Sequence, residues 1–169
     1  MNTSTSKDSS RLSVSELTKM SLVAASYVAV TIVLSVISFG AIQLRLSEMF
    51  NYLALYNKRY IVAVTLGVVL ANFMSPTWVL DVPIGGISTF LVLILCRTFT
   101  KKITNDILKM VITAVIFALS MFTVAGQLTI LFDFPFWPTY LTVGIGELLS
   151  MIVGGIVIYF INKKIDLTK

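Results

Sequence analysis

The chain has 169 residues, 57% of them apolar and 12% charged, with a mean hydropathy of +0.93. That composition excludes an ordinary soluble domain and describes one membrane domain whose surface mostly faces lipid tails. The net charge of +5 does not argue for nucleic acid, because the basic residues flank apolar stretches, where anionic headgroups hold them, and the absence of His removes the commonest metal ligand, general base and nucleophile partner together.

In chain order, residues 1–15 are Ser/Thr-rich without apolar periodicity and read as a flexible cytoplasmic tail, leaving 16–165 as the transmembrane domain. The apolar run from Leu17 to Phe39 exceeds the ~7–15 residues of a signal-peptide core and reads as a retained first span. Further spans are expected over Ile42–Tyr56, Tyr60–Met74, Val82–Phe99, Ile107–Gln127 and Tyr140–Asn162. The second is short, since about 15 helical residues reach only ~22 Å of a ~30 Å hydrocarbon core. Residues Phe39 to Leu44 are therefore expected to travel part of the depth as irregular backbone, which requires cover from protein or a water-filled cavity. The third is short as well and ends at Ser75-Pro76, where proline discourages continuation.

Twelve of the thirteen Lys and Arg residues fall in four clusters: Lys7, Arg11 and Lys19; Lys58 and Arg59; Arg97, Lys101, Lys102 and Lys109; and Lys163, Lys164 and Lys169. Basic residues in short loops mark the cytoplasmic side. The chain is thus expected to start inside, return inside after each pair of crossings and finish inside. Lone Cys96 cannot form an internal disulfide and reads as a small apolar residue.

Polar features expected on the outer side lie in three places: Gln43 to Glu48, Asn72 to Asp81, and Glu147 inside the sixth span. Ionisable groups at membrane depth cost roughly 2.5–3.5 kcal/mol each on insertion scales, so Arg45, Glu48, Asp81 and Glu147 need partners or a wet pocket and are expected to converge. Structural readings stand beside this. Arg45 and Glu48, three apart, can neutralise one another, and Asp81 can cap the fourth span. No basic residue lies within a turn of Glu147. Trp78, Trp137, Phe134, Phe136 and Tyr140 fit an interfacial belt, although the apolar connection Phe132 to Pro138 also suits a lid over a flat ligand, with Asp133 solvated. Ser21, Ala25 and Ala29, at spacing four, make either a chance pattern or a docking face for another helix.

No GxxxxGK[ST] loop is present to cradle nucleotide phosphates, so the chain is not expected to hydrolyse ATP itself, and no convincing internal repeat supports an inverted-repeat transporter. A small binding subunit served by separate energising proteins fits better.

Three segments, QLRLSE (43–48), ANFMSPTWVLDVPIGGISTFL (71–91) and VGIGELLSM (143–151), resemble the QueT family, the substrate-binding S components of energy-coupling factor (ECF) transporters for queuosine precursors. The resemblance covers nearly the whole membrane portion. It implies an all-α bundle of six transmembrane helices in the plasma membrane, without cofactor, that docks on the coupling protein EcfT and two ECF ATPases. The stripe Ser21, Ala25 and Ala29 matches the docking motif it implies. Trp78 departs from the small residue expected there, which leaves the exact ligand open.

A deazaguanine offers a flat face, a ring N–H beside an exocyclic amine, and a carbonyl; its aminomethyl form adds a cation. A carboxylate can accept both donors, an amide or guanidinium can serve the carbonyl, and aromatic rings can sandwich the plane. The expected substrate site is Glu147 for the amidine edge, Asp81 or Glu48 for an ammonium, Arg45, Gln43 and Asn72 for orientation, and Trp78 or Trp137 for stacking. The division among carboxylates stays open. An S component for another vitamin would keep the fold and change the pocket; a membrane-embedded enzyme using paired carboxylates is the rival of another class.

Overall fold

The computed structural model describes residues 12–39 and 43–168. The expected tail up to residue 11, and residues 40–42 within the stretch Phe39 to Leu44 expected to be irregular, lie outside the described residues.

Every regular element among the described residues is helical. Helix α1 (Val14–Val33) starts on a reciprocal cap: Ser13 Oγ accepts from Glu16 N at 3.2 Å, and Glu16 Oε2 accepts from Ser13 N at 2.8 Å. It breaks at Leu34 and resumes as the single turn α2 (Ser35–Ser38). Its buried face carries Ala24, Tyr27 and Thr31; Ser21, Ala25 and Ala29 are exposed, along a separate stripe of the helix.

The second expected span is where the structure departs most from a plain helix. Residues 43–45 are irregular, Leu46–Tyr52 form a 3-10 helix and Leu53–Tyr56 form α3. Extended backbone rises ~3.3 Å per residue and 3-10 winding ~2.0 Å, against ~1.5 Å for an α-helix, so 43–56 has a contour of about 30 Å where a plain helix would reach only ~21 Å. Its polar side chains are covered: Ser47, Glu48, Asn51 and Tyr52 are all buried, as irregular backbone at membrane depth requires. Glycine makes room for it on the last helix. A Cβ at Gly154 would collide with the Met49 backbone and Cβ, and one at Gly155 would stand 3.3 Å from the Tyr52 hydroxyl.

Helix α4 (Arg59–Asn72) packs between α1 and α5 (Trp78–Thr100). Its contact with α1 depends on Gly67, where a Cβ would come within 2.8 Å of Tyr27 Cβ. Helix α5 begins four residues before the expected Val82. Asp81 therefore caps nothing: Thr77 holds the N-cap position, and Asp81 sits inside the first turn. The fifth expected span is two helices, α6 (Asp106–Ser120) and α7 (Phe122–Phe132), meeting at Met121. Ser120 and Thr123 turn their hydroxyls onto the carbonyls of Phe117 (2.7 Å) and Ser120 (3.0 Å) across this break. Helix α8 (Phe136–Asn162) starts earlier than Tyr140, so the expected outer lid shrinks to a short connection at Asp133–Pro135, with Asp133 left-handed at φ 55.

Four stretches are long and apolar enough to cross a membrane, namely α1, α5, α6 with α7, and α8; α4 is apolar but shorter. This is an all-helical membrane protein. The residues of its basic clusters that are among the described residues gather at one end. Arg59 pairs with Glu16 at 2.7 Å, Arg97 Nη1 donates to the carbonyls of Ala54 (2.7 Å) and Leu55 (3.2 Å), Asn162 Nδ2 donates to Asp106 (3.3 Å), and Asn57 Nδ2 donates to the carbonyl of Thr168 (2.9 Å). These links draw the starts of α1, α4 and α6 together with the ends of α5 and α8.

Candidate binding cavity

Toward the opposite end, a cavity of about 170 Å³ opens among the 3-10 segment, α4, α5, α6, α7 and α8. Six of the nominated residues line it: Gln43, Arg45, Glu48, Asn72, Asp81 and Glu147. Segments separated by about a hundred residues thus bring their charged groups to one place.

The hydrogen bonds around the wall form a chain. Glu48 Oε1 accepts from the Tyr27 hydroxyl at 2.6 Å, its Oε2 accepts from Asn51 Nδ2, and Arg45 Nη1 stands 3.8 Å from Oε1. The same Nη1 donates to Asn72 Oδ1 at 3.3 Å, and the Arg45 guanidinium carbon lies 5.2 Å from the centre of the Phe39 ring. Asn72 Nδ2 in turn donates to the Asp81 carbonyl at 2.8 Å. This approach is open only because residue 85 is glycine, where a Cβ would run into that amide nitrogen. The Asp81 carboxylate accepts from three side chains: Thr77 Oγ1 at 2.6 Å and Ser75 Oγ onto Oδ2, and Gln127 Nε2 onto Oδ1. The tight turn after α4 supplies the first two, so Ser75-Pro76-Thr77 both ends one helix and clamps the carboxylate of the next.

Glu147 is different. It is 3% exposed, and its Oε1 has no hydrogen-bond partner. Three other buried side-chain atoms share that condition among the described residues, Ser38 Oγ, Asn51 Oδ1 and Thr65 Oγ1, but none of those residues lines the cavity. A buried carboxylate oxygen without a donor costs free energy of order 1–3 kcal/mol or more, and Glu147 is one of the residues that line the cavity.

Both tryptophans lie elsewhere. Trp78 is 48% exposed and packs its ring on Phe73 at 5.8 Å; Trp137 is 72% exposed and meets Phe136 edge-on at 5.2 Å. Each stands in the first turn of its helix with its ring turned outward, as interfacial aromatics do. The aromatic rings on the cavity wall are Phe39, Phe117 and Phe132. Of the apolar connection after α7, only Phe132 reaches the wall. Sequence reasoning also missed Ser75, Thr77 and Gln127. The spacing Ser-x-Thr-x3-Asp behind a helix-ending proline was a usable signal for the first two; Gln127, in an apolar run, offered none.

The QueT transporter family model matches residues 17–163. The chain belongs to the QueT transporter family. It is 37% identical over 163 residues to a protein of Lactococcus lactis subsp. cremoris (strain MG1363) described as the queuosine precursor transporter QueT, covering 91% of this chain and 96% of that relative. No solved structure matches the chain. Membership in a family of transporters, four long apolar helical stretches and a buried polar cavity make a coherent membrane transport protein.

Proposed function

We propose that the chain is the substrate-binding S component of an ECF-type importer. It captures a queuosine precursor, a deazaguanine such as preQ1, outside the cell and delivers it inward after docking on EcfT with its two ATPases. Residues 43–56 and α4 complete six crossings, and the basic end lies in the cytoplasm with both termini.

The observation that carries this reading is Glu147, a cavity-lining residue whose buried Oε1 has no donor. Three carboxylates, Glu48, Asp81 and Glu147, face one guanidinium, Arg45, so the cavity favours a ligand that is rich in N–H groups and cationic. Its volume of about 170 Å³ is well below the ~300 Å³ at which drug-sized pockets begin, which supports a free base over its nucleoside. Glu147 accepts from the base, Arg45 and Gln43 orient it, and Phe39, Phe117 and Phe132 flank its plane in place of the tryptophans. The exposed stripe Ser21, Ala25 and Ala29 supports docking, because small side chains let a partner helix approach closely.

Titration calorimetry of the detergent-purified protein against the aminomethyl deazaguanine, the nitrile form and queuine tests the assignment. The aminomethyl compound should bind tightest, because only it adds a cation without adding bulk. No binding of any of the three, together with copurification of a different vitamin, would contradict it.

A further inference from the structure

An amide side chain has a donor end and an acceptor end of nearly identical shape, and only its neighbours decide which way it points. Two amides border this cavity beside Asp81, and the neighbours decide both. Asn72 is used at each end: its nitrogen donates to the Asp81 carbonyl and its oxygen accepts from Arg45. Gln127, on α7, is used at one end only. Its Nε2 donates to Asp81 Oδ1, while no hydrogen bond from the described residues reaches its Oε1. The residue is 8% exposed and lines the cavity.

An ionised carboxylate only accepts, so the Gln127 oxygen cannot turn toward Asp81. The hydroxyls of Ser75 and Thr77 hold the other oxygen of that carboxylate, which fixes its plane. Asp81 itself is already served by three side-chain donors from the protein. Its most direct consequence for a ligand is therefore the orientation of its neighbour.

We infer that Asp81 is a positioning residue whose clamp on the Gln127 amide holds Gln127 Oε1 toward the cavity as a second, specificity-determining acceptor for a ligand N–H, beside Glu147. This deepens the proposed function and rests on that reading of the cavity. A deazaguanine carries several N–H groups, so two fixed acceptors recognise it where one would also admit bases that present a carbonyl at that position. The clamp also makes a sign-reversing prediction. In Asp81→Asn, the new amide oxygen keeps the Ser75 and Thr77 donors, its NH2 faces Gln127, and the Gln127 amide must rotate to meet it. An N–H then points into the cavity at a ligand N–H.

The test is a double-mutant cycle in detergent, reading affinity for the aminomethyl deazaguanine by calorimetry. Gln127→Met, which keeps the shape and removes the acceptor, should weaken binding roughly 3–10-fold, the worth of one neutral hydrogen bond. Asp81→Asn should weaken it at least as much. In the double variant, Gln127→Met should recover part of the Asp81→Asn loss, because the misdirected N–H is gone. A residue that merely supported the fold would give losses that add instead. Additive losses, or a Gln127→Met protein that binds like wild type, overturn the inference, and the latter result stands whether or not Asp81→Asn folds. Failure of wild type to bind the compound removes the underlying reading and this inference with it; wild-type binding with an indifferent Gln127 removes this inference alone.

Discussion

The α5 wall and the α8 wall of the cavity each carry a carboxylate from an apolar helix, and they differ in what surrounds it. Asp81, half-buried in the first turn of α5, accepts from Ser75, Thr77 and Gln127; Glu147, buried further along α8, keeps an oxygen with no donor at all. A charge that the protein satisfies is part of the scaffold, whereas one left unsatisfied at the rim of a cavity is held ready for something that comes from outside. The same chemical group thus serves opposite purposes on two walls of one cavity. Natural proteins leave such groups where function needs them, at a cost to stability.

The cavity walls should work independently of the outer face of α1, and the largest expected effect lies there. Ala25→Trp or Ala29→Trp, both on the exposed face, should abolish uptake in cells while ligand affinity in detergent stays within about twofold of wild type. A matching loss of affinity would tie α1's outer face to the cavity and break that independence. The next effect concerns the scaffold. Gly85→Val drives a side chain into the Asn72 amide, so it should lower Tm and weaken binding together, by about 1–3 kcal/mol of stability, since it strands a buried amide. Retained Tm would mean that the α5 wall is softer than its hydrogen bonds imply. Smaller still, Tyr27→Phe removes one of the donors to Glu48 and should cost about 1 kcal/mol in denaturant unfolding with little change in ligand preference. Trp78→Phe and Trp137→Phe should leave affinity within about twofold, because neither ring borders the cavity; a larger change would return them to the site.

The charged members of the site were legible in the sequence because an ionisable group in an apolar helix is costly enough to need a reason. Arg45, Glu48, Asp81 and Glu147 stand out on that ground alone, and the structure brings all four to one cavity. Gln127, Ser75 and Thr77 did not stand out: uncharged polar residues are tolerated in membrane helices through local hydrogen bonds, so their presence carries little information until their partners are known. The tryptophans misled for the converse reason, since a ring suited to stacking is equally suited to the interface. For the fold, length arithmetic on Ile42–Tyr56 exposed a shortage, but not that irregular backbone at 43–45 and a 3-10 helix, accommodated by Gly154 and Gly155 a hundred residues later, lengthen the segment. Helix starts shifted for a similar reason. Thr77 and Pro135 begin α5 and α8 earlier than the hydropathy does, because interfacial aromatics extend a helix beyond its lipid-facing core.

One pair of variants measured side by side tests the contrast between the two walls most directly: thermal unfolding of the ligand-free protein, with affinity for the aminomethyl deazaguanine, for Glu147→Gln and Asp81→Asn. Glu147→Gln should melt no lower than wild type, since it replaces a buried carboxyl group whose Oε1 the protein leaves without a donor, yet bind roughly 10–100-fold more weakly through loss of a charged hydrogen bond to the ligand. Asp81→Asn should melt lower. A Glu147→Gln protein that is destabilised like Asp81→Asn and still binds as wild type would place Glu147 in the scaffold and contradict the account.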